Sequence, residues 1–431
     1  FVDALMDDLL VVTREETESS ACDTLLQLSL LQVSDTTSDT VTQLDFTGNG
    51  VLQTLTLVSS FEMEQQSGFI VSTSGIFLPT ATNTIYSSQE RLVIAAQGWH
   101  ENANRQWREE TWLISYLLDG ASSRAMALGS VPGSTLNQFS IDHTQKNEKD
   151  YLRVATTTSA RWGLGSSGRW QEVEDSASQV IVLELPADDA ESRLMTKVGQ
   201  VTDLGRTERI YSVRFIGDRG FVVTFRQVDP FFTLDLSNVT DPKLVGELKI
   251  PGFSNQLQPI SDDIILGVGQ DASNDGAVRG LQVSLFDVSD FSNPKRIQHH
   301  VITEGWSSSA AQYEHKAIRY LEENEILILP VEVYSSWDSE DNFDGFYVYN
   351  VSATDGIHPR FTIEHANANS IRNGCWSSSY LDARSVVYSD VITTFKGHSV
   401  LSHDLQSAEN VARLDLDKDV KDCHWGGYFV N

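Results

Sequence analysis

Cysteine is nearly missing from this 431-residue chain, which has only Cys22, Cys375 and Cys423. Three thiols so far apart exclude a disulfide-built scaffold. None stands in a Cys-x-x-Cys pair or near histidines at zinc spacing. Cys375 and Cys423 share the C-terminal region and are expected to be bridged, with two buried free thiols as the alternative. Basic side chains are also scarce: 31 Lys+Arg against 60 Asp+Glu give a formal charge of −29. That field repels phosphate backbones and anionic membranes, which argues against a nucleic-acid partner, and it invites divalent cations. The longest apolar runs, such as residues 326–331, are too short to span a bilayer as a helix. Glycine (28) and proline (10) are at ordinary levels, so collagen-like and low-complexity readings fall away. Helical spacing is almost absent as well. It is confined to Phe1, Leu5, Leu9 and Val12, so residues 1–20 are expected to form a short helical segment. Nothing at Phe1 resembles a leader, and a chain beginning without Met reads as mature or trimmed.

What the chain does have is a repeat. Phe232-Thr-Leu-Asp-Leu-Ser-Asn-Val-Thr-Asp-Pro-Lys243 reads as a strand, a polar turn with proline, and the start of a second strand. Ser284-Leu-Phe-Asp-Val-Ser-Asp-Phe-Ser-Asn-Pro-Lys295 repeats it almost residue for residue. Looser copies anchor at Asp45, Tyr116, Glu184, Asn350 and Asp404 beside Asp235 and Asp287, seven in all. Their mean spacing is about 60 residues, long beside the 40–50 of common propeller repeats. Two further strand candidates precede most anchors, as in Ile210 to Phe215, the turn at Gly217 to Gly220, then Phe221 to Phe225. Four antiparallel strands repeated seven times predict an all-β, seven-bladed β-propeller, a single domain over residues 21–431. The excess length falls in insertions at residues 97–110, 160–178 and 306–313.

At these residues the chain resembles the secreted bacterial and archaeal proteins known only as beta-propeller domain-containing. The resemblance runs through Gly133-Ser-Thr-Leu-Asn-Gln-Phe-Ser140 and Glu208-Arg-Ile-Tyr-Ser-Val-Arg-Phe-Ile-Gly-Asp218. It continues in Phe221-Val-Val-Thr-Phe-Arg-Gln-Val-Asp-Pro230, Gly246-Glu-Leu-Lys-Ile-Pro-Gly-Phe-Ser254 and His315-Lys-Ala317. It covers roughly residues 85–410; residues 22–57 lack the segment with which such proteins usually open. That family carries no established activity, so the resemblance implies a fold and no chemistry.

Four groups of residues are candidates for function. In the acidic loop Asp338-Ser-Glu-Asp-Asn-Phe-Asp-Gly345, Glu340, Asn342 and Asp344 alternate before a glycine. That pattern opens many calcium loops, although no glutamate closes it at position twelve. Arg214, Arg226, Asp229 and His315 are candidates to line a central channel, as an anion site or as internal ion pairs. Trp99, Trp107, Trp112, Trp162 and Trp170 gather in the insertions of the second and third copies, where indoles could stack on sugars or pack their own loops. Sequons begin at Asn238 and Asn350 and fit a secreted protein. No serine elbow, zincin helix or Walker loop is present. The reading that follows is an extracellular, non-enzymatic propeller, secreted or held at a cell surface or in a periplasm. It would bind a protein or polysaccharide through loops on one face, with calcium a candidate to set the loop geometry. The alternative is a hydrolase or lyase with its site in the central channel.

Overall fold

A computed structural model describes residues 54–61, 70–78, 80–101 and 107–416, apart from 121, 165–168, 188–189, 191, 226–228, 274–275, 303–305, 337–338, 367–382 and 398. The segment expected to be helical, the anchor at Asp45 and all three cysteines lie outside these residues. Among the described residues there are 29 strands, three short 3₁₀ turns and no α-helix.

The strands form seven successive sheets. Sheet 1 is the hairpin β1 (Thr54–Phe61) and β2 (Ile70–Leu78). Sheet 2 follows, with β3 (Thr82–Ser87), β4 (Arg91–Glu101), β5 (Trp107–Asp119) and β6 (Ser122–Pro132). Sheet 3 is β7 (Ile141–Lys146), β8 (Lys149–Thr158), β11 (Ala177–Glu184) and β12 (Thr196–Leu204). A separate ribbon, β9 (Arg161–Leu164) with β10 (Trp170–Glu174), interrupts it between β8 and β11. Sheet 4 holds β13 (Arg209–Ile216), β14 (Arg219–Phe225), β15 (Asp229–Asp235) and β16 (Lys243–Ile250). Sheet 5 holds β17 (Phe253–Pro259), β18 (Ile264–Ala272), β19 (Val278–Asp287) and β20 (Lys295–Val301). In sheet 6 the first edge is split: β21 (Trp306–Ser308) and β22 (Arg319–Leu321) both pair with β23 (Ile326–Tyr334). β24 (Phe343–Ser352) and β25 (Gly356–Ala366) complete it. Sheet 7 is β26 (Arg384–Tyr388), β27 (Val391–Lys396), β28 (Ser399–Asp404) and β29 (Asn410–Asp415). The paired strands of sheets 1 to 3 and 5 to 7 run antiparallel, and sheets 2 to 7 each present the four-stranded unit that the repeat predicts.

The six repeat anchors among the described residues occupy equivalent places. Just past each anchor, the N–H of Leu118, Leu185, Leu236, Val288, Val351 and Leu405 donates to a carbonyl near the first turn of the same sheet. The acceptors are Glu90, Asp150, Asp218, Asp263, Glu325 and Asp390, at 2.7–2.9 Å. Five anchors stand one residue before the donor. Tyr116 stands two before, and β5 carries a bulge there between Ser115 and Tyr116. The bond recurs because the third strand must end where the first hairpin turns, and a buried amide there requires an acceptor.

Side-chain chemistry explains the conserved-looking turn within the two clearest copies. Asp235 Oδ1 accepts from Ser237 N (2.9 Å) and Asn238 Oδ1 from Thr240 N (3.1 Å). Asp287 and Asp290 do the same for Ser289 N (2.9 Å) and Ser292 N (3.2 Å). Each copy therefore strings two side-chain-closed turns together before its proline. The prolines then pack on the outer strand of the preceding sheet. Pro242 and the Val239 carbonyl sit over Gly199, while Pro294 Cδ and the Phe291 carbonyl would lie 2.8 and 2.7 Å from a Cβ at Gly246. A side chain has no room at either position. Gln298 occupies the place in β20 that Gly246 occupies in β16, and the turn facing it has no proline. Its amide bonds both sides of the Ile357 backbone, accepting from N (2.7 Å) and donating to O (3.1 Å).

Contacts divide the chain into two units. The first runs through Ile210 with Phe215–Arg219 and Asp235–Lys243; the second holds Tyr211–Arg214, Gly220–Leu234 and everything from Leu244. The first buries Val93, Leu113, Leu152, Val154, Ile181 and Leu183. The second buries Leu266, Val283, Leu285, Ile328, Phe346 and Val348 with many others. Burying a Val, Leu, Ile or Phe side chain stabilises by roughly 1.5–3 kcal/mol relative to exposure, so these alternating inner faces carry most of the folding energy.

Candidate functional site

In sheet 2 the strands β4 and β5 pair along their whole length, from Arg91 opposite Leu117 to Glu101 opposite Trp107. Their tips carry Trp99 and Trp107, which are 51% and 60% exposed. The β9–β10 ribbon of sheet 3 brings Trp162 and Trp170, 56% and 69% exposed. Trp112, grouped with these from the sequence, differs. It is buried in β5 because Gly98 on the paired strand leaves room for its ring.

Between the two hairpins lies a cleft of about 320 Å³, lined by Trp99, Trp107, Arg108, Pro132, Arg161 and Glu174 among others. Its rim is an ion triad. Arg108 Nη1 donates to both oxygens of Glu174 (3.1 and 2.9 Å), and Arg161 Nε donates to Oε2 (3.0 Å). Burial is the largest single influence on Glu174 and pushes its carboxyl up, but the hydrogen bonds and charges of Arg108 and Arg161 together outweigh it and hold the carboxyl below its ordinary value. The floor is fixed by Glu109, only 8% exposed. Its carboxylate accepts from Gln97 Nε2 and from Ser159 N, both at 2.9 Å, which ties the β4–β5 hairpin to the start of the ribbon. Its carbonyl accepts from Gly133 N (2.9 Å), holding Pro132 beneath the opening. The indoles are therefore presented by a braced frame. Chemically, the cleft offers flat aromatic faces beside charged donors and acceptors at partial exposure.

The acidic loop has another arrangement. Asn342 is buried and closes the loop onto backbone, accepting from Ser335 N (2.9 Å) and donating to Ser336 O (2.8 Å). Asp344 is buried in β24, and Lys396 Nζ of sheet 7 lies 2.7 Å from its Oδ1 and 2.7 Å from Glu332 Oε1. All three side chains are 1% exposed. Burial raises Glu332 above the ordinary carboxyl value, with Lys396 opposing. Burial works against the ammonium, yet Asp344 and Glu332 together hold it above its ordinary value. Next to it, His365 Nδ1 bonds Ser399 Oγ (2.8 Å) and Nε2 bonds Thr394 Oγ1 (2.9 Å). Burial, then the nearby Lys396, push that imidazole down to about 3, so it is neutral. Glu340 is exposed; Asp338 lies outside the described residues.

Of the channel candidates, Arg214 in β13 and His315 come within electrostatic reach of one another. Arg226 and the Asp229 side chain lie outside the described residues. Asn238 and Asn350 are both exposed. His299 and His300 face opposite ways, as strand alternation requires: His299 Nε2 lies 3.2 Å from Asp271, and the His300 ring meets the edge of Tyr349. The sequence reading passed over the buried Lys396–Glu332–Asp344 cluster. The signal available for it was one lysine closing the alternating run of β27, where a buried cation requires a charged partner.

Antiparallel four-stranded sheets in series, with side-chain-closed turns and projecting hairpins, define a repeat-built β-scaffold. The model of the beta propeller domain family matches residues 8–408, and the chain belongs to that family. Two archaeal proteins, each named only as uncharacterized, are similar to it. One from Archaeoglobus fulgidus is 41% identical over 48% of this chain and 28% of its own length. One from Methanocaldococcus jannaschii is 36% identical over 47% of this chain and 28% of its own length. The match therefore spans little more than a quarter of either relative.

Proposed function

We propose that this propeller is a binding scaffold that takes a polysaccharide in the cleft between the β4–β5 hairpin and the β9–β10 ribbon. The observation that carries this reading is the pairing of two exposed indoles, Trp99 and Trp107, with the Arg108–Glu174–Arg161 triad at one opening. Sugar rings present apolar C–H faces edged by hydroxyls, so they require flat aromatics with donors and acceptors alongside. A cleft of about 320 Å³ lies at the small end of ligand sites, a size for one or two rings of a longer chain. A folded protein partner would need a broader patch, and Trp162 and Trp170 beyond the cleft favour that second reading. An extracellular setting is supported by the exposed sequons Asn238 and Asn350. Calcium in the acidic loop would rely on Asp338, Glu340 and Asp341, since Asn342 and Asp344 already have partners inside the protein.

Affinity electrophoresis against a panel of neutral and acidic polysaccharides tests the reading. Retardation by at least one, lost in Trp99→Ala and Trp107→Ala, is the expected result. Stacking worth about 0.5–1.5 kcal/mol per ring corresponds to a severalfold to tenfold loss for each. Unchanged mobility of both variants on every polysaccharide that retards the wild type would overturn it.

A further inference from the structure

The turn that joins β3 to β4 in sheet 2 meets the β7–β8 hairpin of sheet 3. The hairpin supplies His143 and Asp150. Gln145 stands opposite Asp150 in the ladder and His143 lies two residues before Gln145, so strand alternation puts both side chains on one face. His143 Nε2 lies 3.1 Å from Asp150 Oδ1, and Gln145 Nε2 approaches the same oxygen at 3.4 Å. The turn supplies Ser88, Glu90 and Arg91. Ser88 Oγ bonds the other ring nitrogen, His143 Nδ1, at 3.1 Å and accepts from Arg91 N at 3.0 Å. Arg91 Nη2 donates to Asp150 Oδ2. Glu90 completes the group. One of its carboxylate oxygens, one of Asp150 and a ring nitrogen of His143 all lie within 4.8 Å of one another. The His143 and Asp150 side chains are 7% and 16% exposed, whereas Glu90 is open to solvent.

We propose that Glu90, His143 and Asp150 bind a first-row divalent cation of the zinc type, through one imidazole nitrogen and two carboxylate oxygens. Two ligand atoms each about 2 Å from a tetrahedral ion stand about 3.3 Å apart, close to the separation of His143 Nε2 and Asp150 Oδ1. The exposed Glu90 side chain is free to close the third side. Both inner ligands are held from behind, His143 by Ser88 and Asp150 by Arg91. Such outer partners orient a ligand and leave its other atom to the ion. When Nε2 takes the ion, its proton moves to Nδ1 and Ser88 Oγ accepts it, so the imidazole ligates as the neutral tautomer. Arg91 is an independent sign that a further group belongs here. It is 4% exposed, it reaches the cluster through Nη2, and its Nε and Nη1 have no hydrogen-bond partner among the described residues. Three protein ligands leave a fourth position on such an ion for a hydroxide or an anion oxygen, which would accept from these buried donors. No ligand is shared with the tryptophan cleft, so the two assignments stand or fall separately.

Isothermal titration of the full chain with zinc chloride, its thiols alkylated and its ionic strength fixed with sodium chloride, tests the assignment. One saturable site is expected, with His143→Gln and Glu90→Gln each weakening it at least about tenfold. His358→Gln, at a histidine of the other unit bonded to the Asp355 carbonyl, should change it less than about twofold. If His143→Gln fails to fold by circular dichroism, Glu90→Gln decides, because that side chain is exposed. Calcium should compete poorly, since an imidazole nitrogen suits zinc better than it suits a hard cation. No saturation up to about 1 mM zinc, calcium binding there as tightly as zinc, or Glu90→Gln behaving like His358→Gln would overturn the assignment.

Discussion

Two three-charge groups in this propeller are built alike and behave oppositely. In the tryptophan cleft one carboxylate, Glu174, sits between two guanidiniums, all 38–47% exposed. Between sheets 6 and 7 one ammonium, Lys396, sits between two carboxylates, all 1% exposed. The distances are similar, 2.9–3.0 Å against 2.7 Å. Water makes the difference. At the rim, solvent screens the charges, so each pair contributes little and can be exchanged for a ligand's contacts. In the seam no water competes, so removing one charge strands the others in a low-dielectric interior. The first group suits the recognition proposed for the cleft, and the second joins sheets 6 and 7.

The largest expected effect breaks this comparison at the seam. Lys396→Met leaves Glu332 and Asp344 buried without their cation and should cost about 3–5 kcal/mol in urea unfolding. Replacing all three with apolar residues of similar volume should recover most of that loss, because no buried charge is left uncompensated. If Lys396→Met loses under about 1 kcal/mol, the seam is wetter than its burial indicates.

Acid should act on the same seam. His365 titrates near 3 when folded and at its ordinary 6.5 when unfolded, so below 6.5 the unfolded chain binds the extra proton. Stability should therefore fall as pH drops from 6.5 towards 3, by up to about 1.4 kcal/mol per pH unit. Glu332 pulls the other way: its folded value is raised, so its contribution is full at low pH and is lost as pH rises. Urea midpoints between pH 7 and 4 should show a shallower slope in His365→Asn and a steeper one in Glu332→Gln.

The cleft should show the converse. Trp99→Ala with Trp107→Ala should abolish polysaccharide retardation while moving unfolding free energy by less than about 0.5 kcal/mol. Glu174→Gln should cost no more than about 1 kcal/mol and should alter binding more than stability. A large drop in melting temperature in either variant would make the cleft a packing device. The smallest expected effect is that of calcium. With Asn342 and Asp344 already engaged, 1 mM-scale calcium should leave the melting curve where matched sodium leaves it.

Much of this was legible in the chain itself. The strand-turn-strand repeat follows from local chemistry: alternation fixes the faces, and Asp, Asn and Ser close the turns through neighbouring amides. Asp235 and Asp287 therefore announced their place without any knowledge of distant residues. The tryptophan-rich insertions were visible for the same reason, since they depart from the period. The alternating Asp338 to Asp344 loop shows where local reading stops. Seen along the sequence, Asp344 is one of a row of oxygens. In three dimensions it faces a lysine 52 residues further on, brought there by the packing of sheet 7 on sheet 6.

The sequence by itself determined the all-β class, the four-stranded repeat, the turns and the location of the projecting hairpins, because these depend on neighbours within a few residues. Only the tertiary structure decided which charges are buried and which meet solvent. It separated Trp112 from Trp99 and Trp107, paired Lys396 with two carboxylates, and gathered Glu90, His143 and Asp150 from two sheets. Burial and long-range Coulomb interactions are properties of how sheets stack, and a side chain's chemistry is settled by the dielectric it ends up in.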